Sequence, residues 1–177
     1  WSEEHPPNWP QLQPSKMERS DFIDTFGAIF EDSLWIAEDT FESELGPAND
    51  TADGLHFAMC KVFRMADEEK RLGVLRAHPD LAGKLAMAKR LTEASTSEQA
   101  SAGLDALTDA ERDQFNDLNS RYMEKHGFPF IIAVRDYDKS GILRAFERRI
   151  NNSHSEEFST ACKQVERIAQ FRLRDLL

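Results

Sequence analysis

Residues 108–127, TDAERDQFNDLNSRYMEKHG, spell out a helix from one end to the other. Thr108 and Glu111 form a capping box, in which each side chain satisfies the other's backbone donor. Phe115, Leu118 and Tyr122 recur at helical spacing, and Gly127 stands where a left-handed C-cap belongs. The same period returns along the chain. It runs through Phe22, Ile23, Phe26, Ile29 and Phe30 behind Ser20 as N-cap, then Leu34, Trp35 and Phe41, then Leu55, Met59, Val62, Phe63 and Ala66. It continues in DEEKRLGVLRA, in Leu81, Leu85, Ala88 and Leu91, in Ile142 to Ile150, and in Phe158, Cys162, Val165, Ile168, Ala169, Leu173 and Leu176. No alternating apolar and polar run longer than a few residues competes with it. One stretch departs from the period: FPFIIAV is apolar throughout, and Pro129 removes a backbone donor and favours extended chain. The sequence therefore predicts an all-α single-domain bundle of about eight helices with one buried extended segment at about 128–134.

A chain of 177 residues can bury one substantial core. Four of its seven prolines fall in the first 16 residues, which lack periodicity, so residues 1–18 read as a flexible tail and residues 19–177 as the folded domain. With 32 acidic against 22 basic residues the net charge is −10, which works against nucleic acid or an anionic membrane as partner. No apolar run nears the roughly 20 residues that span a bilayer. A soluble cytoplasmic protein is expected; the ending RDLL lacks an SKL-type peroxisomal address, although a peroxisomal location stays open. Cys60 and Cys162 lie far apart on apolar stripes, without CxxC spacing or a nearby Cys or His, and read as buried thiols rather than as a disulfide or metal site.

Chemistry has few places to reside. His5 and His154 lie in polar surroundings and read as exposed, while His126, in a final helical turn, suits the negative helix end. His78 is different. Its backbone is held extended by Pro79 between two helical patterns, and the start of the next helix would favour a neutral ring able to act as general base. Taken alone, the plainer reading is a capping or loop-packing histidine. Glu98 falls in STSEQ, where Ser95 with Glu98 and Thr96 with Gln99 form overlapping capping boxes; the plain reading is a cap, the other an anion-receptive helix start. The extended segment holds peptide groups that helices would have paired internally and that an amide-rich ligand could pair instead. In IAQFRLRDLL, Arg172 and Arg174 cannot both face outward with equal ease.

Together HPDLAGK, STSEQASAGL, GFPFIIAVR and IAQFRLRDLL, in this order across residues 20–177, resemble the 2-oxo-4-hydroxy-4-carboxy-5-ureidoimidazoline (OHCU) decarboxylases of uric acid degradation. The resemblance implies an all-helical homodimer that uses neither metal nor organic cofactor and converts OHCU to S-allantoin. It also implies catalytic roles for His78, Glu98 and Arg172. Substrate contacts would fall on Pro79, on Ser95, Thr96, Ser97, Glu98 and Gln99, and on the backbone of Phe130, Ile131, Ile132, Ala133 and Val134. Two other readings compete. His78 and Glu98 could be metal ligands of a hydrolase, although no HExxH-like spacing exists. The chain could instead be a non-catalytic helical interaction domain, which would leave His78, Glu98 and Arg172 apart.

Overall fold

The computed structural model describes residues 12–81, 97–100, 102–104 and 106–177. Its α-helices are α1 (Arg19–Phe26), α2 (Leu34–Glu42), α3 (Ala52–Met65), α4 (Glu68–Ala77), α5 (Asp109–His126), α6 (Lys139–Arg149) and α7 (His154–Leu176). Residues 97–100 are also helical, and no strand occurs among the described residues. The all-α class holds. Among these residues no helix is long and apolar enough to cross a membrane. The helix expected through Leu85 and Leu91 lies outside the described residues.

The helix ends follow local chemistry. Asp67 caps α4 and Ser153 caps α7, each side chain accepting a backbone N–H of the first turn. Thr108 and Glu111 form the expected box at the start of α5. Gly127 closes that helix at φ 78°, a conformation that costs a residue without Cβ little. Two expectations fail at the beginning. Glu18, not Ser20, precedes α1, and the helix stops at Phe26, so Ile29 and Phe30 reach the core from a turn. The inner end of the proposed tail is also ordered: Pro14–Lys16 form a 3-10 turn, and Ser15 donates to Asp50 through its N–H and its hydroxyl, each at 2.8 Å.

The core lies where α3 meets α7, with α2 packed against α3 and α1 against α2. Leu55, Met59, Cys60 and Phe63 line the inner face of α3; Ala161, Val165, Ala169 and Leu173 line that of α7. Cys60 and Cys162 are buried free thiols, as expected. Burial pushes the Cys60 thiol up to about 12. One detail corrects the sequence reading: Cys60 does have a histidine neighbour, His56 Nε2 at 3.2 Å.

The extended segment crosses this core. Every residue from Phe128 to Val134, Pro129 included, is buried, and Phe130 stacks on Phe146 with ring centroids 3.9 Å apart. Beneath it Arg149, over the Phe130 ring at 4.4 Å, donates from Nη1 to the Ile131 carbonyl at 2.7 Å and from Nε to Glu157 at 2.9 Å. Tyr122 and Asn152 also donate to Glu157, at 2.6 and 2.9 Å. A buried ion pair thus sets the height of an otherwise irregular strand of chain. His126 ends α5, as expected, and is buried against Tyr122 and Phe128, where burial lowers its pKa.

Candidate active site

Proline geometry places the first residue. His78 ends α4 with φ −73° and ψ 141°, the extended conformation that a following proline demands. Two residues earlier, Arg76 Nε donates to the Gly127 carbonyl at 3.1 Å, tying this corner to the end of α5. The imidazole is buried, with Nδ1 3.0 Å from the carbonyl oxygen of Val74. A carbonyl can only accept, so Nδ1 carries the hydrogen and Nε2 keeps its lone pair. Burial lowers the His78 pKa to about 4, leaving a neutral ring near pH 7. The helix start expected to favour this neutrality lies outside the described residues; loss of water around the ring is the dominant cause.

Glu98 and Arg172 stand 74 residues apart in sequence and meet as a two-pronged pair. Arg172 Nε donates to Glu98 Oε2 at 3.0 Å, and Nη2 to Oε1 at 2.8 Å. Both residues are buried. Arg172 is inward because it shares the α7 stripe with Ala161, Val165, Ile168 and Ala169, whereas Arg174 points out to Asp53. Burial works against the charge of Arg172, and its carboxylate partners outweigh that cost, raising its pKa.

One of those partners is absent from every motif above. Glu31, 2% exposed, accepts from Arg172 Nη2 at 2.8 Å. Arg172 Nη1 donates to the carbonyls of Ala28 and Ile29, at 3.1 and 3.4 Å. All three guanidinium nitrogens are therefore engaged by the chain. The available signal for Glu31 is an acid set in the apolar run GAIFEDSLWIA, which the projected continuation of the first helix disguised.

A cleft of about 350 Å³, its open mouth included, is lined by His78, Pro79, Leu81, Glu98, Gln99, Phe130, Ile131, Ile132, Val134, Ile168 and Arg172. Three of the four sequence motifs thus bring their named side chains to one place together with the extended segment. Gln99 Nε2 reaches the Asp80 carbonyl at 3.4 Å, and Asn119 donates to that of Leu81 at 2.7 Å, so the wall after His78 is anchored from two directions. Ser97 is exposed and Ala133 does not line this cleft; Ser95 and Thr96 lie outside the described residues.

The extended backbone is partly committed. The Ala133 N–H donates to Gln164 at 2.9 Å, the Ala133 carbonyl accepts from Asp136 at 3.0 Å, and the Ile131 carbonyl is held by Arg149. The peptide groups of Phe130 and Ile132 make no hydrogen bond to the described residues. Among those residues, no group of three or more His, Cys, Asp or Glu side chains is placed to hold a metal ion. The arrangement joins a neutral, desolvated imidazole to an oriented carboxylate in a mostly apolar cleft. That is equipment for moving a proton on a bound organic molecule, and an interaction domain would have kept these groups apart.

Comparison with known proteins agrees. The OHCU decarboxylase family model matches residues 15–174. The 2-oxo-4-hydroxy-4-carboxy-5-ureidoimidazoline decarboxylase of Haloferax volcanii is 42% identical over 163 residues, covering 92% of this chain and 93% of its own. An (S)-allantoin synthase crystal structure superposes with a TM-score of 0.72 at 29% identity, over 93% of this chain and 52% of that one. An OHCU decarboxylase crystallised in the presence of (S)-allantoin shares the fold at a TM-score of 0.68 and 20% identity, over 90% of this chain and 98% of that one. The matched span contains His78, Glu98, the extended segment and Arg172, and the chain belongs to the OHCU decarboxylase family.

Proposed function

We propose that this protein decarboxylates OHCU to S-allantoin in uric acid degradation, with His78 handling the proton. The observation that carries the reading is the convergence of the neutral His78 and the Arg172-held Glu98 on one cleft. When the C–CO2 bond breaks, its electron pair forms a C=C bond to the carbon bearing the ureido group, and the C=N pair moves onto the ring nitrogen, which takes up a proton, giving a hydroxy-enamine. The hydroxyl then loses its proton as the carbonyl forms, and the carbon bearing the ureido group gains one. Net, one proton is consumed and one CO2 is released. The substrate's own ring accepts the electrons, which is why the reading requires no metal or organic cofactor.

Within that scheme Nε2 of His78 takes the hydroxyl proton, a task that needs a ring neutral near pH 7 with an open lone pair. Glu98 accepts a hydrogen bond from the substrate, and Arg172 orients it; with all its nitrogens engaged, Arg172 works through Glu98 and through its charge rather than as a fresh donor. Phe130 and Ile132 offer peptide groups to the ureido and ring amides, beside Pro79 and Gln99. The family resemblance adds substrate contacts from Ser95, Thr96 and Ser97. Protonation from one face gives one enantiomer. A homodimer in the cytoplasm belongs to the same reading, supported by the family resemblance.

The test is direct. Freshly generated OHCU should disappear faster with the protein than without it, and His78→Ala and Glu98→Ala should each lose roughly a hundredfold or more. Near-normal turnover by both variants would refute the assignment.

A further inference from the structure

Glu31 is the buried charge that the mechanism above leaves without a task. A carboxylate taken out of water costs several kcal/mol unless its charge is matched. Here Arg172 already serves Glu98 with two hydrogen bonds, yet the same guanidinium also meets Glu31 Oε2 at 2.8 Å. One cation is shared by two buried acids.

The backbone around Glu31 is shaped for this contact. Asp32 adopts φ 45°, the left-handed region that only Gly, Asn and Asp visit readily. The Ser33 hydroxyl donates to the Glu31 carbonyl at 2.8 Å. The preceding turn also supplies the Ala28 and Ile29 carbonyls that hold Arg172 Nη1. Residues 28–33 therefore form a socket for the outer part of the guanidinium, and its Nε–Nη2 edge is left to grip Glu98. A bidentate pair is only as fixed in direction as the guanidinium plane itself.

We propose that Glu31 is a positioning residue for the reaction: together with the Ala28 and Ile29 carbonyls it locks the plane of Arg172, and the locked guanidinium holds the Glu98 carboxylate in register within the cleft. The inference rests on the decarboxylase reading and deepens it. Glu31 is not among the residues that line the cleft; it acts through two side chains.

Two variants test it, each checked for folding by circular dichroism and thermal melting and assayed for decarboxylation beside wild type and His78→Ala. Glu31→Gln keeps the shape and removes the charge; Glu31→Asp keeps the charge and withdraws it by one methylene. Misplacing a reacting group by about 1 Å can cost a hundredfold, so kcat per folded protein should fall about ten- to a hundredfold in Glu31→Gln while KM stays within about threefold. Glu31→Asp should show the same split, and it provides the test should Glu31→Gln fail to fold. Wild-type kcat per folded protein in either variant, with lost activity tracking only lost folded protein, would overturn the proposal. If wild type itself gave no decarboxylation over the protein-free rate, the function reading would fail instead, so the two failures are distinguishable.

Discussion

Nδ1 of His78 lies 3.0 Å from the carbonyl oxygen of Val74, four residues back along its own chain, and this contact chooses the tautomer of the proposed base. Helix α4 would have continued its ladder here, but Pro79 stops it, and the side chain rather than a backbone N–H takes the carbonyl. His78→Asn separates the two consequences. Asparagine can still donate an N–H to Val74 but offers no imidazole lone pair. The variant should fold with near wild-type Tm and lose about a hundredfold to ten-thousandfold in kcat, measured by decay of freshly prepared OHCU.

Protonation provides the second prediction. His78 falls from its ordinary 6.5 to about 4 in the folded chain because burial penalises the cation. Between those values the unfolded chain takes up a proton that the folded chain refuses, so stability is fully present above pH 6.5 and is lost as pH falls toward 4. His126, also lowered by burial, acts in the same direction. Urea unfolding should give a lower midpoint at pH 5 than at pH 7, and His78→Asn should flatten part of that difference. The acid limb of kcat/KM should lie near pH 4, well below that of a solvent-exposed histidine.

The floor of the cleft rests on a different pair. Arg149 and Glu157 are buried, and Arg149 also carries the Ile131 carbonyl. Arg149→Met leaves Glu157 without its cation and Ile131 without its donor. Breaking a buried pair from one side costs about 3–5 kcal/mol, which denaturant unfolding should show directly. In the fraction that stays folded, KM should rise, because Phe130 and Ile132 lose their fixed height beside the cleft.

Helix boundaries that rest on local chemistry were readable in the sequence. Thr108, Glu111 and Gly127 delimit α5 from within a few residues of each end, and Pro79 alone dictates the backbone of His78. Arg172 was half readable: the apolar stripe of α7 says that Arg172 and Arg174 cannot both face outward with equal ease, but nothing near them in sequence says which turns in or what it meets. Its partners are 74 and 141 residues away, and ion pairs of that separation leave no local spacing to detect. Glu31 was hidden for the same reason, and further by a helix that ends at Phe26 instead of running on through Phe30. The commitment of the Ala133 and Ile131 peptide groups to Gln164 and Arg149 was equally invisible, since an extended apolar stretch states only that its polar groups need partners.

The stereochemistry of the product tests the central claim most directly. OHCU is generated in place with uricase and hydroxyisourate hydrolase, and optical activity is followed by circular dichroism as it decays, with this protein, with His78→Asn, or with neither. The account predicts rapid appearance of a circular dichroism signal of the same sign as authentic S-allantoin, with wild type alone. Slow racemic allantoin at the protein-free rate would contradict it.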